Sequence, residues 1–481
     1  MSTQHPDNVR QPFFVENSVI GGDDEIKEAF YTFSNLKIKE QLWDCEGKEV
    51  DNFVIEKLLT KYDDYFRRHE IGKDVFVTLR GPNPRVEKNK GKLLLETLES
   101  IPRNYDTAYH FYQKDIAPIF EISIPMVSSA HEVLMVKEYY DKFITGKKLK
   151  KVNNTAIKEW VGDFKPDTIN VIPLIEDKEH MLRAAEITGE YLDKAKIEGH
   201  QRVWLARSDP SLNYGNLSAI LLNKIALQDL HYLSEKKSVD LYPIIGCGSA
   251  PFRGNFRPDN VKNAMAAYPS VQTFTAQSAF KYDYPEELVR KAVEKIEEAK
   301  MGKPMEVDEK KAREMIEKVS SEYQKQVTQI APLVNQMSSY VPERRKRKLH
   351  IGLFGYSRKQ TGVSLPRAIK FCGAMYSFGL PPELLGMSSL TEKDYDFIST
   401  VTASFDEDMK DSLKYFNEES LKLLPEKIQK QVKSVASRFE HETDERHKKV
   451  TSLILKDFRA NSFIGMSEKV EQAAAIRGFL G

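Results

Sequence analysis

Seven short apolar runs, each stopped abruptly by polar residues or glycine, constrain this chain more than any other feature. They are Val75–Arg80 (VFVTLR), Ile119–Pro125 (IFEISIP), Ile169–Glu176 (INVIPLIE), Arg202–Asp209 (RVWLARSD), Leu241–Gly248 (LYPIIGCG), Val271–Gln277 (VQTFTAQ) and Leu349–Ser357 (LHIGLFGYS). Their β-branched and aromatic content, and their length, read as strands rather than helices. Apolarity is nearly continuous instead of alternating, as in a parallel sheet covered on both faces. Between them lie stretches with helical spacing, clearest at Glu179–Leu192 and Leu217–Leu227. With a weaker run at Glu40–Asp44 the tally reaches about eight strand–helix repeats, which predicts an α/β fold of the TIM (β/α)8 barrel type.

A barrel core takes about 250 residues, and the chain has 481. The surplus is expected as helical insertions, at about 285–345 and 405–470, and a helical C-terminal extension; Lys291–Tyr323 and Glu407–Arg459 carry the Lys/Glu-rich helical spacing that suggests them. No internal repeat and no Gly/Ser linker interrupts the chain, so 1–481 reads as one domain.

Composition narrows the function. Lys+Arg (72) balances Asp+Glu (71), which argues against a nucleic-acid binder driven by bulk charge. The basic run Arg344–Lys348 (RRKRK) reads as a solvated segment ahead of a strand. No apolar run approaches the roughly 18 residues that would cross a membrane, and the opening MSTQHPDNVR lacks the apolar centre of a secretory signal. Cys45, Cys247 and Cys372 cannot all pair and show no CxxC spacing, so they are expected as reduced thiols in a cytoplasmic protein.

In a barrel, residues at the C-terminal strand ends converge on one mouth. Here they are Arg80, Glu176, Arg207, Asp209, the Gly246–Asn255 loop, Gln277 and the Tyr356–Arg358 segment. Carboxylates among arginines point to an anionic substrate held beside a divalent cation. Glu176 and Asp209 end consecutive runs and offer hard oxygen ligands to Mg²⁺ or Mn²⁺. Each could instead serve the helix that follows, Asp209 as an N-cap before Pro210 and Glu176 as a first-turn acid. In the loop, glycines let backbone N–H groups approach an anion and Arg253 adds a planar charged donor, while the GxxxxGK[ST] spacing of a nucleotide loop is missing. His5 stands alone near the start. Arg80 in TLRGPNP and Arg358 in GYSRKQTG could equally be salt-bridging surface arginines.

Together, several longer stretches resemble phosphoenolpyruvate carboxylase of the archaeal type: MSTQHPDNV at the start, WDCEGKEVDN at Trp43–Asn52, LETLESIPR at Leu95–Arg103, NVIPLIED at Asn170–Asp177, LARSDPSLNYG at Leu205–Gly215, IIGCGSAPFRGNFRPDN at Ile244–Asn260, KRKLHIGLFGYSR at Lys346–Arg358 and the closing AAAIRGFLG. The resemblance implies a carboxylating lyase that converts phosphoenolpyruvate and bicarbonate to oxaloacetate and inorganic phosphate with Mg²⁺ or Mn²⁺. It further implies a barrel with extra helices, a homotetramer, carbon fixation that replenishes the tricarboxylic acid cycle, and allosteric control by aspartate or malate. Carried over by position, Glu176 and Asp209 fall on the metal ligands, and His5 and Arg253 on the catalytic histidine and loop arginine. Arg80, Arg207, Gly248, Ser249, Lys281 and Arg358 are the implied substrate contacts. The longer enzymes of the family have an arginine where Cys247 stands and a lysine where Leu212 stands, so other cations, Arg207 or Lys281, must supply that charge. The glycine loop is expected to close over the site. Bicarbonate dependence would separate this activity from that of a mutase or aldolase-like barrel with the same acid pair.

Overall fold

The computed structural model describes residues 1–5, 7–48, 50–346, 359–360 and 363–481. The run expected as a strand at Leu349–Ser357 and the candidate Arg358 lie outside the described residues. The central sheet has seven strands, β1 (Glu40–Asp44), β2 (Phe76–Arg80), β3 (Glu121–Ile124), β4 (Asn170–Ile175), β5 (His200–Ala206), β6 (Asp240–Gly246) and β7 (Thr273–Phe274). Their order in space follows the chain, and every neighbouring pair is parallel. Helices fill the crossovers, for example Gly91–Tyr112 between β2 and β3 and Ala184–Ala195 between β4 and β5. Parallel neighbours cannot be joined by a tight turn, which is why each strand is followed by a helical return.

Side chains alternate across each strand, and the inward set shows that the sheet curls. Arg202 on β5 lies 2.7 Å from Glu40 on β1 and 2.7 Å from Glu121 on β3, and donates to Thr273 Oγ1 on β7 at 3.3 Å. In a flat sheet, strands four places apart would sit about 19 Å from one another, beyond the reach of one Arg–Glu pair. Nearer the mouth, Leu42, Ile172, Leu174, Trp204, Ala206, Ile244 and Met1 pack into an apolar cluster of their own. The outward set, including Val203, Leu205 and Ile245, packs against the helices. Burial on both faces is the reason the strands read as continuous apolar runs.

The two edges of the sheet bond to the same short stretch of backbone. Ser2 N donates to Glu40 O (2.7 Å) and Leu42 N to Ser2 O (2.8 Å); on the other side Ala276 N donates to Met1 O (2.8 Å) and Thr3 N to Ala276 O (2.9 Å). The barrel expected from the sequence is therefore met in part. Seven strands curl, and residues 1–3, too few to show any periodicity, lie where their edges approach.

Helices continue beyond the sheet at Glu286–Glu298, Glu309–Ser338, Ala368–Ser377, Phe405–Leu413, Glu426–Ala436, Glu445–Arg459 and Met466–Arg477. Helix Asn216–Lys237 is buried nearly all round from Asn216 to Gln228, because it lies between the sheet and helix Glu309–Ser338, where Ser218 Oγ donates to Ile316 O at 3.4 Å. No helix among the described residues is long and apolar enough to cross a membrane.

The last helices enclose a buried histidine. His447 is fully buried, and its Nε2 accepts from Arg477 at 2.9 Å. Burial, and then the Arg477 charge, hold its pKa well below the ordinary 6.5. The folded state thus keeps this imidazole neutral while the unfolded chain protonates it. Stability is fully present above pH 6.5 and is expected to fall below it by up to about 1.4 kcal/mol per pH unit. Melting temperatures between pH 7.5 and 5.5 should show a shallower slope in His447→Gln, which keeps an acceptor and loses the proton; equal slopes would remove this group from the acid response.

Candidate active site

The strand register aligns the C-terminal ends: Asp44 pairs with Arg80, Ile175 with Leu205 and Ala206 with Gly246. One residue past β4, on the inward parity of Ile172 and Leu174, stands Glu176. Just past β5 come Arg207, Ser208 and Asp209. Together with His5, Lys48, Arg80, Arg253, Gln277 and Arg367 these residues line one cavity of about 110 Å³. A larger cavity, about 630 Å³, opens at the opposite strand ends beside Lys39, Phe76 and Gln272. Its size does not make it the reactive centre, because the converging charged groups are at the mouth.

The two acids are not helix caps. Asp177, not Glu176, caps the helix after β4 by accepting from His180 N at 3.1 Å. Helix Ser208–Tyr214 begins without a side-chain cap bond from Asp209. Glu176 Oε2 is buried and has no hydrogen-bond partner among the described residues. Burial, and then the neighbouring Asp209 carboxylate, push the Glu176 pKa well above the carboxylate range. An unpartnered buried oxygen facing a second acid fits a cation. No cluster of three or more His, Cys, Asp or Glu among the described residues is arranged as a metal cage. Two carboxylates leave most of the shell to water and substrate oxygens, the pattern Mg²⁺ accepts.

The cations are organised by other acids. Arg80 donates twice to Asp44, at 2.9 and 2.6 Å, and lies 3.4 Å from Glu46; Lys48 lies 3.3 Å from the same Asp44. Burial alone would raise Asp44, but Arg80 and Lys48 override it and hold its carboxyl well below the usual range. This loop after β1 supplies Lys48 to the cavity, a residue absent from the sequence reading. The signal was present in the weak run Glu40–Asp44, whose following residues had to reach the mouth.

His5 is partly buried, with Nδ1 2.7 Å from Thr3 Oγ1. Burial, then the charges of Lys48, Arg80 and Arg253, lower its pKa well below 6.5, so the imidazole is neutral. Arg253 donates to Ser208 Oγ (3.2 Å), Gly481 O (2.5 Å) and Gln277 Oε1, and lies 3.5 Å from Asp7.

The remaining candidates sit elsewhere or turn inward. Arg207 borders the cavity, but its guanidinium donates to Tyr268 Oη (3.1 Å), Phe252 O (3.2 Å), Asn216 Oδ1 (2.6 Å) and Ser211 Oγ. Ser249 is buried, and its hydroxyl has no partner among the described residues. Lys281, expected at the substrate, does not line the cavity; it is buried against Glu28 and Thr3 O. Cys247 is a buried free thiol whose pKa burial pushes up to about 12. Leu212 is buried in the core, its carbonyl accepting from Tyr323 Oη at 2.8 Å. The glycine loop is not an open flap: Gly248 N donates to Arg253 O (2.7 Å), Phe256 N to Gly248 O (2.9 Å) and Asn255 Nδ2 to Asp408 (2.7 Å), and the stretch from Cys247 to Arg253 is buried.

Gly248 acts through close approach. A Cβ there would lie 2.5 Å from Arg253 Cζ. Because the clash falls on a buried guanidinium already bonded to Ser208, Gly481 O and Gln277, Gly248→Ala should displace it and lower the melting temperature as well. The half-saturating concentration of an anionic substrate should rise about tenfold, the loss of one good charge-assisted contact. Unaltered saturation curves would separate Gly248 from the site.

A family model described as phosphoenolpyruvate carboxylase matches residues 1–481. A phosphoenolpyruvate carboxylase of Methanothermobacter thermautotrophicus is 52% identical over 483 residues, covering 100% of this chain and 99% of that protein. Those of Methanospirillum hungatei and Pyrococcus abyssi are 49% and 46% identical, again over 100% of this chain and 99% of theirs.

Proposed function

This chain belongs to the phosphoenolpyruvate carboxylase family, and on that premise we propose that its cavity converts phosphoenolpyruvate and bicarbonate to oxaloacetate and phosphate through carboxyphosphate and a pyruvate enolate. The observation that carries this reading is the meeting of Glu176 and Asp209 with His5, Lys48, Arg80 and Arg253 around one small void. Glu176 and Asp209 are the residues that would hold Mg²⁺ or Mn²⁺. Such an ion supplies positive charge where the three-carbon unit keeps its oxygen as the phosphoryl group departs.

Lys48, Arg80 and Arg253 bind the substrate's anionic groups and spread the charge of the transferring phosphoryl group. Asp44 holds Arg80 and Lys48 in place before substrate arrives, so little reorganisation is needed at reaction. His5, neutral in the free enzyme, takes the carboxyl proton of carboxyphosphate as it breaks to CO₂ and phosphate, then returns it to phosphate. The mostly buried setting keeps water from protonating the enolate before it attacks CO₂. Arg207, Gly248 and Ser249 shape the floor and loop around Arg253.

The whole of 1–481 acts as a single unit in this reading. Its support is one apolar cluster that contains Leu205 and Ile245 from the sheet together with Val319, Ile428 and Ile454 from the added helices. Residues 1–3 serve as the eighth stave of a closed barrel, supported by their bonds to both sheet edges. By family analogy the enzyme is a cytoplasmic homotetramer that replenishes the tricarboxylic acid cycle under aspartate or malate control. The test is a coupled assay of oxaloacetate, with bicarbonate, metal and phosphoenolpyruvate each omitted in turn. Product should require all three; turnover without bicarbonate would replace this reading with a mutase- or aldolase-like one.

A further inference from the structure

Ser278–Asp283, the short segment after β7, grips the chain on both sides of His5. Lys281 Nζ donates to Thr3 O at 2.8 Å, two residues before the histidine. Ala279 N donates to Asp7 Oδ1 at 3.3 Å, and Asp283 accepts from Val9 N (2.8 Å) and Arg10 N (3.1 Å), on the far side. Thr3, whose carbonyl Lys281 holds, also carries the hydroxyl bonded to His5 Nδ1. Gln4, the next residue, is tied by its amide to Glu25 and to Asp44 N (2.8 Å).

Behind this grip lies a balanced set of buried ions. Glu28 receives Lys281, Tyr282 Oη and both arms of Arg345 (2.8 and 2.6 Å), and Arg345 also reaches Glu25 at 2.5 Å. The four charged side chains are 0% exposed, two cationic and two anionic. A buried ion set is poor value as a source of stability, since apolar residues of similar volume do as well; what it can supply is one fixed arrangement.

We propose that Lys281 is a positioning residue for His5, acting through Thr3. The inference rests on the role given to His5 above. Lys281 touches no part of the cavity, so its loss should disturb the imidazole and spare substrate and metal binding.

The experiment compares three variants in the full-length enzyme. Lys281→Met combined with Glu28→Gln removes one charge of each sign and leaves Arg345 paired with Glu25. Thr3→Val removes the imidazole's partner with no buried charge disturbed, and decides the matter if the first variant does not fold. His5→Asn serves as the reference. Expected is a loss of at least about tenfold in kcat for oxaloacetate, the scale of a small misplacement. The KM for phosphoenolpyruvate and the half-saturating Mg²⁺ concentration should stay within about threefold, and the His5 imidazole NMR signals should shift in the variants. Wild-type kcat in both Lys281→Met/Glu28→Gln and Thr3→Val, with His5→Asn impaired, would overturn the positioning role alone. A joint decline of kcat, substrate binding and metal binding would overturn it too, as general damage. Full activity in His5→Asn would instead sink the role of His5, and this inference with it.

Discussion

Glu176→Gln or Asp209→Asn is expected to cut kcat/KM by about 10² to 10³, the scale on which removal of one transition-state charge contact acts. The metal concentration for half-maximal activity should rise at least about tenfold, as when a first ligand is lost from a two-carboxylate site. The reason is local. Glu176 Oε2 has no partner among the described residues, and Asp209 faces it. Such an arrangement is costly unless a cation compensates it. The same argument gives a second readout: metal-free Glu176→Gln should melt no lower than the wild type, because the substitution removes a buried ionisable group that has no cation to compensate it. A metal titration superposable on that of the wild type, in either variant, would return both residues to a helix-associated role.

For His5→Asn, oxaloacetate formation should drop by about 10² to 10⁴, the usual contribution of a positioned acid–base group. Binding of phosphoenolpyruvate and metal should change little, and slow phosphatase-like release of phosphate should persist. Asparagine can keep a polar atom near Thr3 Oγ1 but cannot take up a proton. The neutral state that makes His5 a proton acceptor follows from its burial and from Lys48, Arg80 and Arg253. Measuring phosphate and oxaloacetate in the same reaction checks the split; equal loss or equal retention of both would contradict it.

Local patterning carried much of the fold. β1 lies at Glu40–Asp44 as its weak apolar run suggested, and β2 to β7 fall inside or within two residues of the other runs read as strands. Periodicity reports which face of an element a residue occupies, and strand-end chemistry reports what reaches the mouth. That is why Glu176, Asp209, Arg80 and Arg253 could be named from sequence and do line one cavity. Loop residues after a strand carry no period, so Lys48 went unrecognised, and Asp44 ends a run too weakly apolar to mark its last residue as a strand end.

The partner across a face is a long-range matter, and there only the tertiary structure decided. Lys281 follows a strand end and looks like an anion ligand, yet Glu28, far away in sequence, claims it. Arg207 stands at the mouth but spends its guanidinium on Tyr268 and Asn216. Nothing in Met1–Thr3 announces that these residues bond to both edges of the sheet, since the curvature that brings the edges together arises from the inward packing of every strand at once.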